Sequence, residues 1–305
     1  MKYKFYTRFI GILIFSYLLT FVDYDELSYI LKNKLEIVNL FICLFLIPVV
    51  VFLKSYRWSI ILNIESIKFN IIDNYLIYFS SLFYGIISPG RIGEFSKVIH
   101  LKNEKKIKSG HTTASIIIDR SFDLSVILIM SIFSMSFFIN NDFRNYLILF
   151  IGVIILFITI ILKLYPIINE FFRSRNTILF NYLSDLHQLY KKMSIYILFQ
   201  CLTISFICQI ISYVQILYVC KFLQLSFGII FLIGLSSLIT LVSLVPITFA
   251  GIGSRDSLVI YLFSLKDISP EYAFLFSTIY LFIFYLGTSF FSLLALLIKP
   301  LKLKA

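Results

Sequence analysis

The chain has 305 residues, of which 60% are hydrophobic and only 14% are charged, and its formal net charge is +11. A soluble domain is nearer half apolar and a quarter charged, so this composition excludes a water-soluble globular protein. With a mean hydropathy of +0.95, it predicts an all-α protein that crosses a membrane several times. In such a protein the positive charge indicates basic cytoplasmic loops rather than nucleic-acid binding.

Six apolar runs are near the length of about 20 residues that a helix needs to cross the hydrocarbon core. The first run imitates a signal peptide, but no small-residue cleavage site follows it, so we interpret it as an uncleaved span. Two further runs are interrupted. Ile71–Ile87 ends at a Ser-Pro-Gly sequence, and 227–245 ends at Pro246, after which a short apolar piece occupies 258–265. The six predicted spans lie at about 8–22, 37–53, 115–139, 146–164, 194–220 and 272–297.

Basic residues decide the predicted orientation. Most of the 27 Lys and Arg residues fall in five segments, which the positive-inside rule places on the cytoplasmic side. The protein is then a multi-pass protein of the cell membrane with both termini in the cytoplasm. The five segments are 1–8, 54–70, 88–111, 163–193 and the C-terminal tail.

The interrupted run Ile71–Ile87 lies between two of these basic segments. We therefore predict that it enters the membrane from the cytoplasm and returns there. By the same argument, 227–265 enters from outside and returns to that side. Re-entrant backbone is tolerated only where it is buried in protein or lines a cavity.

The chain then divides into two halves with the same order of elements, which is span, span, re-entrant piece, span. Residues 1–139 start inside and residues 146–297 start outside. This predicts an inverted-topology repeat within a single transmembrane domain, 1–305, with the broken helices meeting near the midplane. If both interrupted runs simply cross, the chain has eight spans and the termini stay cytoplasmic.

Residues 165–192, between the halves, carry apolar side chains at helical spacing and a basic opposite face. One interpretation is an amphipathic helix that lies on the cytoplasmic leaflet. The other is an ordinary loop helix docked on the protein. The sequence leaves both open.

The first break, at 88–94, has the composition of an anion site. Ser88 is predicted to cap a helix whose first residue is Pro89. The free amides of a helix start, together with Arg91, suit a phosphate or a carboxylate. The alternative is a capped cytoplasmic helix with an exposed Arg and Glu. The two glycines of this break, which allow close backbone approach, are Gly90 and Gly93.

The second break, at 246–256, repeats this pattern of a proline, glycines, an arginine and an acid. Ser254 is predicted to cap the helix that follows. Arg255 and Asp256 lie between apolar stretches, where an isolated charge costs at least a few kcal/mol, so an exposed solvent loop is the less favoured alternative. The proline and glycines of this break are Pro246, Gly251 and Gly253.

A third charged cluster lies near the start of the 115–139 span. Asp119 and Asp123 are four residues apart, so they share a helix face, with Arg120 beside them. Two unpaired carboxylates there would be costly, so they should face a cation or water, and Arg91 is the candidate partner. The alternative is an ion pair that only fixes helix packing.

Four short motifs occur in a fixed order along the chain. They are Arg57-Trp58, Ser-Pro-Gly-Arg-Ile-Gly-Glu at 88–94, Asp-Arg-x-x-Asp at 119–123 and Gly-Ile-Gly-Ser-Arg-Asp at 251–256. In this order the chain resembles the lysylphosphatidylglycerol synthase transmembrane-region family of flippase-like proteins over nearly its whole length. The resemblance implies a membrane region that moves a lipid between leaflets, without the aminoacyl-transferase domain of longer members. The family usually has Glu at positions 119 and 256, where Asp keeps the charge and shortens the reach.

We therefore expect a translocase, not an enzyme, that moves an anionic phospholipid or a polyprenyl-phosphate-linked lipid in cell-envelope biogenesis. The alternatives are a membrane-embedded glycosyl or head-group transferase, and an accessory scaffold of an envelope-polymer enzyme. The expected partners are the lipid and envelope biosynthesis enzymes. We expect no nucleic acid and no cofactor. We also expect no metal, since the Cys and His residues lack metal-ligand spacing. The residues expected to bind the head group are Arg91, Glu94, Asp119, Arg120, Asp123, Arg255 and Asp256.

Overall fold

A computed structural model describes most of the chain. The described residues are 36–68, 70–105, 107–138, 177–244 and 251–300, together with Asp25. The described ranges are helical with short connections and contain no strand, which confirms an all-α polytopic membrane protein. The predicted spans at 8–22 and 146–164 lie outside the described residues, as does Pro246.

Nine α-helices are found in the described ranges. They are α1 (Val38–Ile64), α2 (Ile71–Ile87), α3 (Ser96–Lys105), α4 (Ser109–Phe138), α5 (Thr177–Lys192), α6 (Ile195–Phe222), α7 (Ile229–Leu244), α8 (Ser254–Ser264) and α9 (Pro270–Ile298). A 3-10 helix, Pro89–Phe95, joins α2 to α3. A π-helical segment, Leu281–Gly287, interrupts α9.

Three of these helices, α1, α6 and α9, are long and apolar enough to cross a membrane, with mean hydropathies of 2.3, 1.9 and 2.3. The bounds of α6 and α9 agree with the predicted spans 194–220 and 272–297 to within two residues. Helix α1 continues 11 residues beyond the predicted end of its span, because its polar end packs against α4. The predicted 115–139 span lies within α4, whose 30 residues measure about 45 Å.

Helices α2 and α7 contain the two interrupted apolar runs. Helix α2 has 17 residues, or about 25 Å, which is less than the hydrocarbon core of about 30 Å, and the described part of α7 has 16 residues. Helix α2 has the predicted bounds, since its apolar run ends at Ser88, whose backbone is extended. Helix α8 begins four residues before the predicted apolar piece, because it includes the charged residues of the second break.

Each main packing contact between long elements joins a helix of the first half to one of the second. Helix α1 packs on α6, α2 on α9, and α4 on α7. In the predicted repeat, α1 corresponds to α6, α2 to α7 and α4 to α9. The contact of α2 with α9 therefore corresponds to the contact of α7 with α4. The inverted orientation of the halves stays a prediction.

One cluster of buried apolar side chains unites the two halves, with Trp58 and Tyr78 from the first and Phe263 and Phe276 from the second. Helix α5 docks on α4 at one side, where Leu189 is fully buried. The described part of the 165–192 segment is therefore a docked helix.

Candidate functional site

A cavity of about 140 Å³ lies between the two halves of the chain, and we call it the central cavity. Helices α1, α2 and α4 and the 3-10 helix form its wall on one side, and α6, α7 and α9 form the other. The charged groups of the wall are Lys54, Arg91, Arg120 and Glu94, so cations outnumber carboxylates three to one. The uncharged polar groups include Ser212, Gln215, Ser236 and Thr240, and much of the remaining wall is apolar.

The first break folds back onto the end of α2. The Ser88 hydroxyl donates to the Gly85 carbonyl at 3.1 Å and accepts the Gly93 amide at 2.6 Å. A helix therefore starts at Pro89 as predicted, but it is a 3-10 helix. A Cβ at position 93 would lie 2.0 Å from the carbonyl oxygen of Tyr84, so only glycine fits this contact.

Arg91 has a left-handed backbone, with φ of 57°, which is uncommon for a residue other than glycine. Its side chain lies in the wall of the central cavity. Among the described residues, Arg91 takes part in no ion pair shorter than 4.0 Å. The described residues therefore provide no counterion for the positive charge that Arg91 presents to the cavity.

Glu94 supplies the acid of the first break and makes an ion pair with Arg120 of α4. The Glu94 side chain is almost fully buried, whereas the Arg120 side chain is 27% exposed, and both lie in the cavity wall. Arg120 also donates to the Tyr78 hydroxyl at 3.4 Å. The carboxylate thus holds one of the three wall cations.

The two carboxylates of α4 bind a cation that sequence reasoning did not place in the site. The fully buried Arg57 donates from Nε to Asp119 at 2.8 Å and from Nη1 to Asp123 at 2.5 Å. Its Nη1 also contacts the hydroxyl of Ser205, which lies in α6 of the other half. Arg57 therefore ties α1, α4 and α6 together.

The expectation that Arg91 pairs with these carboxylates is wrong. Besides Arg57, Lys54 pairs with Asp123 at 3.1 Å, and the Tyr78 hydroxyl donates to Asp119 at 3.0 Å. Two features of the sequence indicate these partners. Arg57 is the first residue of one of the four ordered motifs, and Lys54 lies one helical turn before it. Both were missed because the predicted span ended at residue 53.

The second break uses its glycines differently. Gly251 and Gly253 have φ of 75° and 85°, which L side chains rarely adopt. Gly253, not Ser254, is the N-cap of α8, and Ser254 is the first helical residue. The predicted cap is therefore displaced by one residue, because the Asp256 carboxylate accepts the Gly253 amide at 2.8 Å and fixes the helix start there.

Arg255 and Asp256 are both buried, and they pair with each other. Arg255 Nη2 lies 2.7 Å from Asp256 Oδ1, and Arg255 Nε donates to the Ser277 hydroxyl of α9 at 3.0 Å. Ser277 in turn hydrogen-bonds to Asp256. The pair is thus packed against α9 and does not lie in a solvent loop.

Tyr280 separates this pair from the central cavity. The Arg255 guanidinium lies 5.3 Å from the centre of the Tyr280 ring, and the ring lines the cavity. Of the predicted head-group residues, Arg91, Glu94 and Arg120 lie in the wall of the cavity. The remaining four, Asp119, Asp123, Arg255 and Asp256, are not among the residues that line it.

The ordered motifs and the helical fold agree with the comparisons with known proteins. The family model described as lysylphosphatidylglycerol synthase TM region matches residues 8–291. The chain belongs to this family. It is also 25% identical over 166 residues to UPF0104 membrane protein MJ1595 of Methanocaldococcus jannaschii, an alignment that covers 52% of this chain and 48% of that relative. The chain thus spans about half the length of the curated relative that it matches, and no solved structure matches it.

Proposed function

We propose that this protein is a lipid translocase of the cell membrane, which moves an anionic phospholipid or a polyprenyl-phosphate-linked lipid between leaflets in envelope biogenesis. The central cavity carries this proposal. Lys54, Arg91 and Arg120 face it; Lys54 is paired with Asp123 and Arg120 with Glu94, whereas Arg91 has no ion-pair partner among the described residues. Charge buried in an apolar wall must be paired, and the group that best completes this set is an anion such as a phosphate.

In this proposal, the Glu94–Arg120 ion pair is exchanged when a lipid binds. The Glu94 carboxylate pairs with the Arg120 guanidinium. A head-group phosphate would compete with it, since arginine binds a phosphate through two parallel hydrogen bonds. Arg91 needs no such exchange, because it has no ion-pair partner among the described residues and meets the phosphate first.

The buried clusters behind the wall hold its charged groups in place. Arg57 and Asp123 position Lys54, and Tyr78 contacts Arg120. Arg255 and Asp256 support the Tyr280 ring from behind. Both predicted arginines of the breaks therefore serve the site, but Arg91 contacts the lipid and Arg255 acts through Tyr280.

Movement between leaflets follows from the two halves. In this proposal residues 1–139 and 146–297 form an inverted repeat, and one half rocks against the other around the central cavity. The contacts between the halves support this, because the α2–α9 contact corresponds to the α7–α4 contact when the halves are interchanged. The shortness of α2 supports the first re-entrant piece. Both termini then lie in the cytoplasm.

The test is leaflet exchange in liposomes that contain the purified full chain. Fluorescent phosphatidylglycerol is the probe, and a membrane-impermeant reductant reports the fraction in the outer leaflet. Arg91→Ala should slow exchange about tenfold or more, since it removes the wall cation that has no ion-pair partner among the described residues. Lys102→Ala, which removes an exposed lysine outside the cavity, is the matched control and should match the unsubstituted protein.

Chromatography of the recovered lipid separates the candidate functions. An unchanged probe in the opposite leaflet supports translocation. A new covalent lipid product identifies a transferase instead. Exchange no faster than in protein-free liposomes contradicts the proposal and leaves the scaffold role, in which Arg91→Ala has no effect.

A further inference from the structure

Lys97 of α3 is a buried cation that the proposed function does not use. Its side chain is fully buried, and its Nζ has no hydrogen-bond acceptor among the described residues. Nζ instead lies 3.6 Å from the centre of the Tyr78 ring and 5.0 Å from that of Trp58. A buried ammonium without an acceptor is unfavourable, and contact with aromatic faces recovers only part of that cost.

Lys97 lies one layer behind the cavity wall. Glu94, three residues earlier, is in the wall itself. The Tyr78 ring that contacts Nζ carries a hydroxyl that donates to Asp119 and accepts from Arg120 of the wall. A single ring therefore separates the Lys97 ammonium from the ion pairs of the site.

The charged groups that act on Lys97 come from two helices. Lys54 and Arg57 of α1 are cations and Asp119 and Asp123 of α4 are carboxylates, so these groups balance before the charge of Lys97 is counted. The Tyr78 ring of α2 lies against Nζ, and Arg120 of α4 donates to the Tyr78 hydroxyl. The 3-10 helix, which also packs on α3, contributes Arg91 and Glu94 of the cavity wall. An anion that enters the cavity makes these surroundings more negative and favours a proton on Lys97.

Among these cations, lysine can lose its proton in the physiological range when buried, whereas arginine cannot. Burial, together with Arg57 and Lys54, lowers the pKa of Lys97 to about 8, while Asp119 and Asp123 act to raise it. Among the described residues, α3 is not one of the helices long and apolar enough to cross a membrane. At a pH near this value, a modest change of charge in the cavity is enough to alter the occupancy of this proton.

We propose that Lys97 is the proton-binding group of the lipid site, and that it takes up a proton from water when an anionic head group enters the central cavity. The proposal rests on the proposed function, because it requires the cavity to bind an anionic lipid. The proton forms the third N–H bond of the ammonium on entry and returns to water when the head group leaves. Lipid movement is thereby coupled to proton movement, and affinity for the lipid falls above the pKa of the empty site by up to about tenfold per pH unit.

The single tryptophan of the chain reports directly on this proton. Trp58 lies 5.0 Å from Lys97 Nζ, so its fluorescence should change as the ammonium loses its charge. In the full chain in detergent, we expect a transition with a midpoint near pH 8. Added phosphatidylglycerol, whose phosphodiester charge is constant in this range, should move the midpoint to higher pH, and net-neutral phosphatidylcholine should not.

Three variants make the test specific. Lys97→Met should abolish the transition, and Lys102→Met, on an exposed position of the same helix, should retain it. If Lys97→Met does not fold, Lys97→Arg keeps the charge without titrating and should also lack the transition. A transition that persists in either Lys97 variant, or a midpoint that phosphatidylglycerol does not move, overturns the proposal.

Leaflet exchange separates this proposal from the proposed function. Exchange with no lipid-dependent shift of the Trp58 transition contradicts the role of Lys97 alone. A lipid-dependent shift without exchange supports Lys97 as part of a lipid site and contradicts translocation. When both are present, exchange should slow as the pH rises above about 8 in the unsubstituted protein and stay constant in Lys97→Met.

Discussion

The two glycine-rich breaks have the same sequence pattern but place their charges differently. The first break directs Arg91 into the central cavity and pairs Glu94 with Arg120 of another helix. The second break buries Arg255 and Asp256 against each other behind Tyr280. One break therefore contributes to the surface that a ligand would meet, and the other contributes to the packing that supports it.

The glycines differ in the same way. Gly93 is needed for space, because the carbonyl of Tyr84 approaches where a Cβ would stand. Gly251 and Gly253 are needed for conformation, since both have positive φ. A shared pattern of glycine, arginine and acid thus does not establish a shared role, and the four predictions that follow test how far the two breaks correspond.

The largest effect concerns the side of the membrane on which each break opens. Lys102→Cys, in the helix after the first break, should react with a membrane-impermeant maleimide only from the cytoplasm. Lys266→Cys, in the loop that follows α8, should react only from outside. The four native cysteines are buried, so the background should be low. Reaction of both positions from the same side would rule out the inverted repeat.

The acids of the two breaks should differ strongly in their contribution to stability. Asp256→Asn leaves Arg255 buried without its counterion and should cost about 3 kcal/mol or more. Glu94→Gln leaves Arg120, whose side chain is partly exposed in the cavity, and should cost about 1 kcal/mol or less. Thermal unfolding in detergent measures both.

Asp267→Asn is the matched control for this pair, because it removes an exposed acid just after α8 and should change the unfolding midpoint little. Equal losses for the two acids would mean that the first break is as tightly packed as the second. The distinction between a ligand-facing break and a supporting break would then fail.

The sequence predicted those features of the breaks that depend on local chemistry. Helix α2 has its predicted bounds because the apolar run stops at Ser88, and the residue before a proline is disfavoured from the helical conformation. The start at Pro89 follows from the same local rule. Of the two arginines predicted to bind an anion, Arg91 lies in the cavity wall but Arg255 does not, and binding of a head group stays a prediction.

Features that depend on packing between distant elements were not predictable. The partner of Asp119 is 62 residues away on α1, and no spacing rule connects the two. The π-helical segment of α9 lies within an uninterrupted apolar run, so nothing in its composition marks it. Gly253 and Ser254 are both good N-cap residues, and only the carboxylate of Asp256 selects the first.

The glycine of the first break should be intolerant of a methyl group. Gly93→Ala places a Cβ 2.0 Å from a backbone oxygen that cannot rotate away, so it should lower the free energy of unfolding by about 1–3 kcal/mol. Gly228→Ala is the control, since a Cβ there meets no atom within 4 Å. Similar unfolding midpoints for the two variants would show that the 3-10 helix is not seated on α2 as described.

The smallest effect separates the charge of Arg91 from its backbone. Arg91→Ala and Arg91→Gly both remove the guanidinium, so both should slow leaflet exchange to the same extent. Glycine accepts φ of 57° without strain, whereas alanine does not, so Arg91→Gly should be more stable by about 1 kcal/mol. Unfolding midpoints and exchange rates measured on the same preparations check both statements. If exchange recovers in Arg91→Gly while Arg91→Ala stays slow, the first break contributes its backbone conformation rather than its charge, and it resembles the second break more closely than the cavity suggests.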